Sequence, residues 1–160
     1  MNEDIVRDLL AEQPGQSVVN ALMEFIERDR YLLEVDANER SITHRIALYL
    51  QAEFPNLDVD CEYNRDNHEP KELMLPGGEP DSYDTNAQTV YPDIILHRRG
   101  TRENHLVIEF KKTTPQINDE KDFIKLIAFK HQFNYQYALF IELETGRRTQ
   151  GVSRVAWINT

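Results

Sequence analysis

Apolar residues recur along this chain with two different periods, and the changes of period lay out its elements. Ile5, Val6, Leu9 and Leu10 keep a helical spacing until Pro14-Gly15 interrupts it. A second stripe, Val18, Leu22, Phe25, Ile26, Leu32 and Leu33, predicts another helix with Ser17 as its cap. A third helix is expected from Asn38 to Phe54 on Ile42, Ile46, Ala47, Tyr49 and Leu50, with Pro55-Asn56 ending it. From Leu57 the period falls to two. Leu57, Val59, Cys61 and Tyr63 alternate with Asp58, Asp60, Glu62 and Asn64, the pattern of a half-buried strand. Residues 66–89 are rich in Gly, Pro and acidic side chains and read as a long irregular insertion.

The next two apolar runs each carry charged intruders: Tyr91-Pro92-Asp93-Ile94-Ile95-Leu96-His97 and His105-Leu106-Val107-Ile108-Glu109-Phe110-Lys111-Lys112. Because strand side chains alternate between faces, Val107, Glu109 and Lys111 share one side, as do Tyr91, Asp93, Ile95 and His97. An antiparallel hairpin through residues 98–104 sets Asp93 beside Glu109. Thr113-Thr114-Pro115 then breaks the strand, and Asn118 or Asp119 is placed to cap a helix ending near Gln132. Tyr137–Ile141 predicts a central strand, and Val152–Ile158 an edge strand.

Two carboxylates and a lysine converging in this way suit metal-assisted phosphodiester hydrolysis. Carboxylate oxygens are hard ligands for Mg²⁺, which keeps several waters and needs only one or two of them. The metal acidifies a bound water, and a lysine stabilises charge growing on the phosphoryl oxygens. Pro92-Asp93, fifteen intervening residues and Glu109-Phe110-Lys111 resemble the motif of the PD-(D/E)XK nuclease superfamily. That resemblance spans roughly residues 36–160. It implies an α/β, restriction-endonuclease-like core of helix, three strands, helix and strand around a mixed central sheet, preceded by extra N-terminal helices. One domain is expected over 1–160, with 1–35 as a helical elaboration and 36–160 as the nuclease-like core. The resemblance further implies that Asp93, Glu109 and the backbone carbonyl of Phe110 hold Mg²⁺ or Mn²⁺, that Lys111 acts on water, and that Glu39 supports the metal shell.

Charge complicates that reading. The formal net charge is −10, whereas a nucleic-acid binder is expected to present cations to phosphate. Residues 1–90 hold 7 Lys+Arg against 20 Asp+Glu, but residues 91–160 hold 11 against 8. The candidate site thus lies in the basic half, where Arg98, Arg99, Lys112, Lys121 and Lys125 are the candidate phosphate contacts. Taken singly, each is more often an ordinary solvated charge. The expected activity is a metal-dependent nuclease, with DNA favoured as substrate. The alternative is a catalytically inactive binding or regulatory protein of the same fold, using its acidic N-terminal half to hold a protein partner or a second copy. Cys61, the single cysteine, excludes an internal disulfide and a Cys-rich zinc site. With no apolar run long enough for a membrane span and no signal-like N-terminus, a cytoplasmic location is expected.

Overall fold

The hairpin that brings the two charged runs together forms the middle of a five-stranded sheet. The computed structural model describes residues 1–63, 91–113, 118–148 and 150–160, with the backbone of 65–66, 69–70, 72–74 and 87–89. In chain order the elements are α1 (Glu3–Leu9), α2 (Gly15–Glu34), α3 (Glu39–Glu53), β1 (Asp58–Cys61), β2 (Arg65–Asp66), β3 (Glu69–Pro70), β4 (Glu72–Met74) and β5 (Ala87–Thr89). They continue as β6 (Ile94–His97), β7 (Asn104–Lys112), α4 (Glu120–Gln132), β8 (Tyr137–Glu144) and β9 (Gly151–Trp157). The sheet order is β1-β6-β7-β8-β9. Only β7 and β8 are parallel, joined by α4 as a crossover; the other neighbours are antiparallel. The result is the expected architecture, a mixed α/β sheet broadly compatible with a restriction-endonuclease-like topology.

Alternation along the strands divides the core into two layers. Ile94, Leu96, Leu106, Ile108, Phe110, Leu139 and Ile141 pack against the apolar stripes of α1, α2 and α3. Ile95, Val107, Ala138 and Phe140 face Leu126 and Phe129 of α4. Glu109 and Lys111 have the parity of Val107, so they too emerge on the α4 side of β7.

Several boundaries differ from the sequence expectation for local reasons. Helix α2 starts at Gly15 rather than after a Ser17 cap, with Pro14 in the N-cap position and no side-chain cap bond. The tight passage from α1 requires the glycine: a Cβ there would lie 1.9 Å from the Leu9 carbonyl oxygen. Strand β1 stops at Cys61, because Glu62 turns to φ 50° and leaves the extended region. Asp119 takes the N-cap position of α4 without making a side-chain cap bond, while Asn118 Oδ1 accepts from the Glu120 N–H at 3.2 Å. Asn38 behaves as expected, its Oδ1 accepting from the Ser41 N–H at 2.8 Å. Asn64 and most of the 66–89 insertion lie outside the described residues.

Candidate functional site

The register places Asp93 next to Glu109. Ile94 is paired with Ile108 on the antiparallel neighbour, and Asp93 Oδ2 accepts the Phe110 N–H at 2.7 Å. Asp93 therefore sits just before β6, anchored to the backbone of the strand that carries Glu109 and Lys111. Glu39, the first residue of α3, approaches from the other helical layer. Helix α4 brings two charges to the same place. Lys125 Nζ lies 2.8 Å from each oxygen of Glu109, and Asp122 Oδ2 accepts from Lys111 Nζ at 2.9 Å.

Burial sets the electrostatics of this pocket. Glu109 is 3% exposed, and burial followed by the nearby Asp93 carboxylate pushes its pKa well above the ordinary glutamate range, against the pull of Lys125. Burial also raises Asp93, opposed by the Phe110 N–H and Lys125. Glu39 is raised by burial and then by Asp93 and Asp122, with Lys111 and Lys112 opposing. Lys111 is shifted up chiefly by its bond to Asp122. Four carboxylates thus share one region with Lys111 and Lys125, leaving an excess of negative charge that burial makes costly.

Lys125 and Asp122 are the site residues that sequence reasoning misjudged or missed. Lys125, expected as an exposed phosphate contact, instead holds Glu109 and donates to the Tyr91 carbonyl at 2.7 Å. A usable signal was present: Lys125 adjoins Leu126 and lies four residues before Phe129, which places it on the edge of the apolar stripe of α4. Lys111 does not pair with Glu109 on its own strand; it pairs with Asp122. The other proposed phosphate contacts are mostly committed to carboxylates. Arg98 pairs with Glu103, Arg99 with Asp58 and Asp60, and Lys112 with Asp36. Lys121 stays on the exposed side of α4.

A second polar cluster lies at the opposite end of β6. His97 Nε2 is 2.7 Å from Asp60 Oδ2, and Arg99 grips the same carboxylate. Burial pushes Asp60 up, but the hydrogen bonds from His97 and Arg99 outweigh it and carry the carboxyl down to about 2. This cluster ties β1 to the end of β6 and is a structural clamp.

No family model matches the chain, and comparison with curated proteins and with solved structures returns no match. Whether Mg²⁺ suits the pocket is therefore decided by the residues themselves. Glu109 Oε1 is buried and makes no aligned hydrogen bond, although the Lys125 ammonium lies 2.8 Å from it. The Lys125 ammonium already stands against both Glu109 oxygens, however, and Mg²⁺ requires ligands at about 2.0–2.1 Å in near-octahedral array. Among the described residues no three His, Cys, Asp or Glu side chains are arranged to hold a metal ion. As folded, the cation that faces Glu109 is the Lys125 ammonium.

Proposed function

We propose that this chain is a nuclease-fold binding or regulatory protein whose carboxylate pocket is closed by an internal lysine. The observation that carries this reading is the Lys125 ammonium, 2.8 Å from both oxygens of the buried Glu109. Two further features support it. Arg98, Arg99 and Lys112 are held by acidic partners rather than presented together to a phosphate backbone. The helical layer, by contrast, leaves Met23 exposed in a concavity lined by Glu24, Glu27 and Glu53, a surface better suited to a protein partner than to nucleic acid.

A second reading, Mg²⁺- or Mn²⁺-dependent hydrolysis of nucleic acid, DNA above all, is favoured by the proximity of Asp93 to Glu109 and the upward shifts of Glu39, Asp93 and Glu109. It requires Lys125 to leave the pocket. Incubating the wild-type chain and Lys111→Ala with single- and double-stranded DNA and RNA in Mg²⁺ or Mn²⁺ separates the two. The first reading expects no cleavage attributable to the protein. Cleavage by the wild type that Lys111→Ala abolishes would establish the second.

A further inference from the structure

Helices α2 and α3 pack against each other and bury Val18, Leu22, Phe25, Ile42, Ile46 and Leu50 in the core they share with the sheet. On the solvent side the pair leaves a concavity of about 510 Å³. Ala21 and Ala52 contribute only methyl groups to its lining, so little side chain fills the space between the helices, while Met23 and Tyr49 add larger apolar surface. Met23 is exposed, and an unbranched thioether adapts readily to the shape of whatever packs on it.

The rim of this concavity is acidic and incompletely neutralised. Glu24, Glu27 and Glu53 border it. Glu24 is paired with Arg28, and Arg45, which donates to the Tyr49 hydroxyl at 3.2 Å, is held by Asp29 at 3.0 Å. Among the described residues Glu53 accepts only from the neutral Asn20 amide, at 3.1 Å, and Glu27 makes no ion pair. An apolar floor between unneutralised carboxylates is complementary to a segment that is apolar on one face and cationic along its flanks. The furrow between two packed helices also accepts the side-chain ridge of a third. We propose that this concavity docks a basic amphipathic helix of a protein partner, with its apolar side chains over Met23, Tyr49 and Ala52 and its Lys or Arg side chains paired with Glu27 and Glu53. This inference rests on the binding-protein reading above and names the chemistry of the partner.

The test is fluorescence anisotropy of a labelled synthetic peptide with Leu and Lys at amphipathic helical spacing, titrated with the full-length wild type, Glu27→Lys, Ala52→Phe and Glu120→Lys. Glu27 and Ala52 are exposed, and melting curves confirm that each variant is folded, with Ala52→Leu replacing Ala52→Phe if the latter is not. Glu120 is exposed on α4, across the sheet from α2 and α3, and its substitution makes the same change of charge as Glu27→Lys. The wild type is expected to bind the peptide, and Glu27→Lys and Ala52→Phe each to weaken binding at least roughly tenfold, the second by shape without any change of charge. Glu120→Lys is expected to bind as wild type does. No saturable binding by the wild type, or binding left unchanged by either Glu27→Lys or Ala52→Phe, would overturn the proposal. Equal weakening in Glu120→Lys would overturn it too, because the peptide would then be responding to net charge alone. Sedimentation showing self-association of the wild type that Glu27→Lys abolishes would assign the concavity to a second copy of the chain, again overturning it. Each of these failures leaves the closed pocket at Glu109 standing, whereas nucleic-acid cleavage that Lys111→Ala abolishes would remove that reading whatever the peptide does.

Discussion

Removing the Lys125 ammonium should destabilise the fold by an amount that depends on pH. Glu109 is 3% exposed and the Lys125 side chain 19%, so Lys125→Met leaves a buried carboxylate beside Asp93 without its counter-charge. Breaking a buried pair by deleting one partner costs about 3–5 kcal/mol, and partial exposure of Lys125 places this case near the lower end, about 3 kcal/mol at pH 8. For a chain of this size each kcal/mol moves the melting temperature by roughly 2–4 °C, which gives a fall of roughly 6–12 °C. Glu109 is an acid whose folded pKa is raised, so its protonated form is favoured in the native state. Its contribution to stability is present in acid and is lost as pH rises from the ordinary glutamate range through the folded value. Acidification to pH 5 should therefore shrink the Lys125→Met penalty, and adding Glu109→Gln should remove most of it at either pH. Urea and thermal unfolding of the wild type, both single variants and the double variant, at pH 5 and pH 8, complete the cycle. A Lys125→Met variant within about 0.5 kcal/mol of wild type at both pH values would mean that the Lys125 ammonium does not offset a buried Glu109 charge.

Other elements of the fold carry predictions of their own. Asp60→Asn should cost about 1–2 kcal/mol at pH 7, discounted for solvent screening. Because the folded pKa of Asp60 is lowered to about 2, that stability is complete above the ordinary aspartate range and is lost as pH falls toward 2, which acid titration of both proteins would show. Gly15→Ala should lose about 1–3 kcal/mol or more in urea unfolding, since its Cβ would meet the Leu9 carbonyl oxygen; an unaltered midpoint would mean that the α1–α2 passage adjusts freely. Asn38→Ala should lose about 1 kcal/mol by the same assay through removal of the bond to the Ser41 N–H, and Asn38→Asp should retain most of it.

Much of the architecture is local in origin and was therefore readable from the sequence. The stripes on α1, α2 and α3 fix which face each helix buries, and the alternation of Ile94–His97 against Asn104–Lys112 fixes both the hairpin and the adjacency of Asp93 and Glu109. The partners of those charges are not local. Lys125 meets Glu109 because Leu126 and Phe129 seat α4 over Val107 and Phe140, so the rotation of the crossover helix selects which lysine turns inward. Lys121 and Lys125 are one turn apart, and only the closeness of Lys125 to Leu126 and Phe129 in the sequence sets it apart from Lys121. Arg99 similarly reaches Asp60 across the β1–β6 pairing, a contact that no spacing rule contains. The short start of α2 at Gly15 depends on the close passage of the Leu9 carbonyl, which only the packed chain reveals.

On the closed-pocket reading, the Lys125 ammonium and not a metal ion neutralises Glu109 in the resting protein. Crystals grown from wild-type protein in millimolar Mn²⁺, with anomalous diffraction recorded at a wavelength sensitive to manganese, test it directly. No anomalous peak is expected between Asp93 and Glu109, and Lys125 Nζ is expected in hydrogen-bond contact with Glu109 and the Tyr91 carbonyl. A manganese peak bridging Asp93 and Glu109, with Lys125 displaced from the pocket, would contradict it.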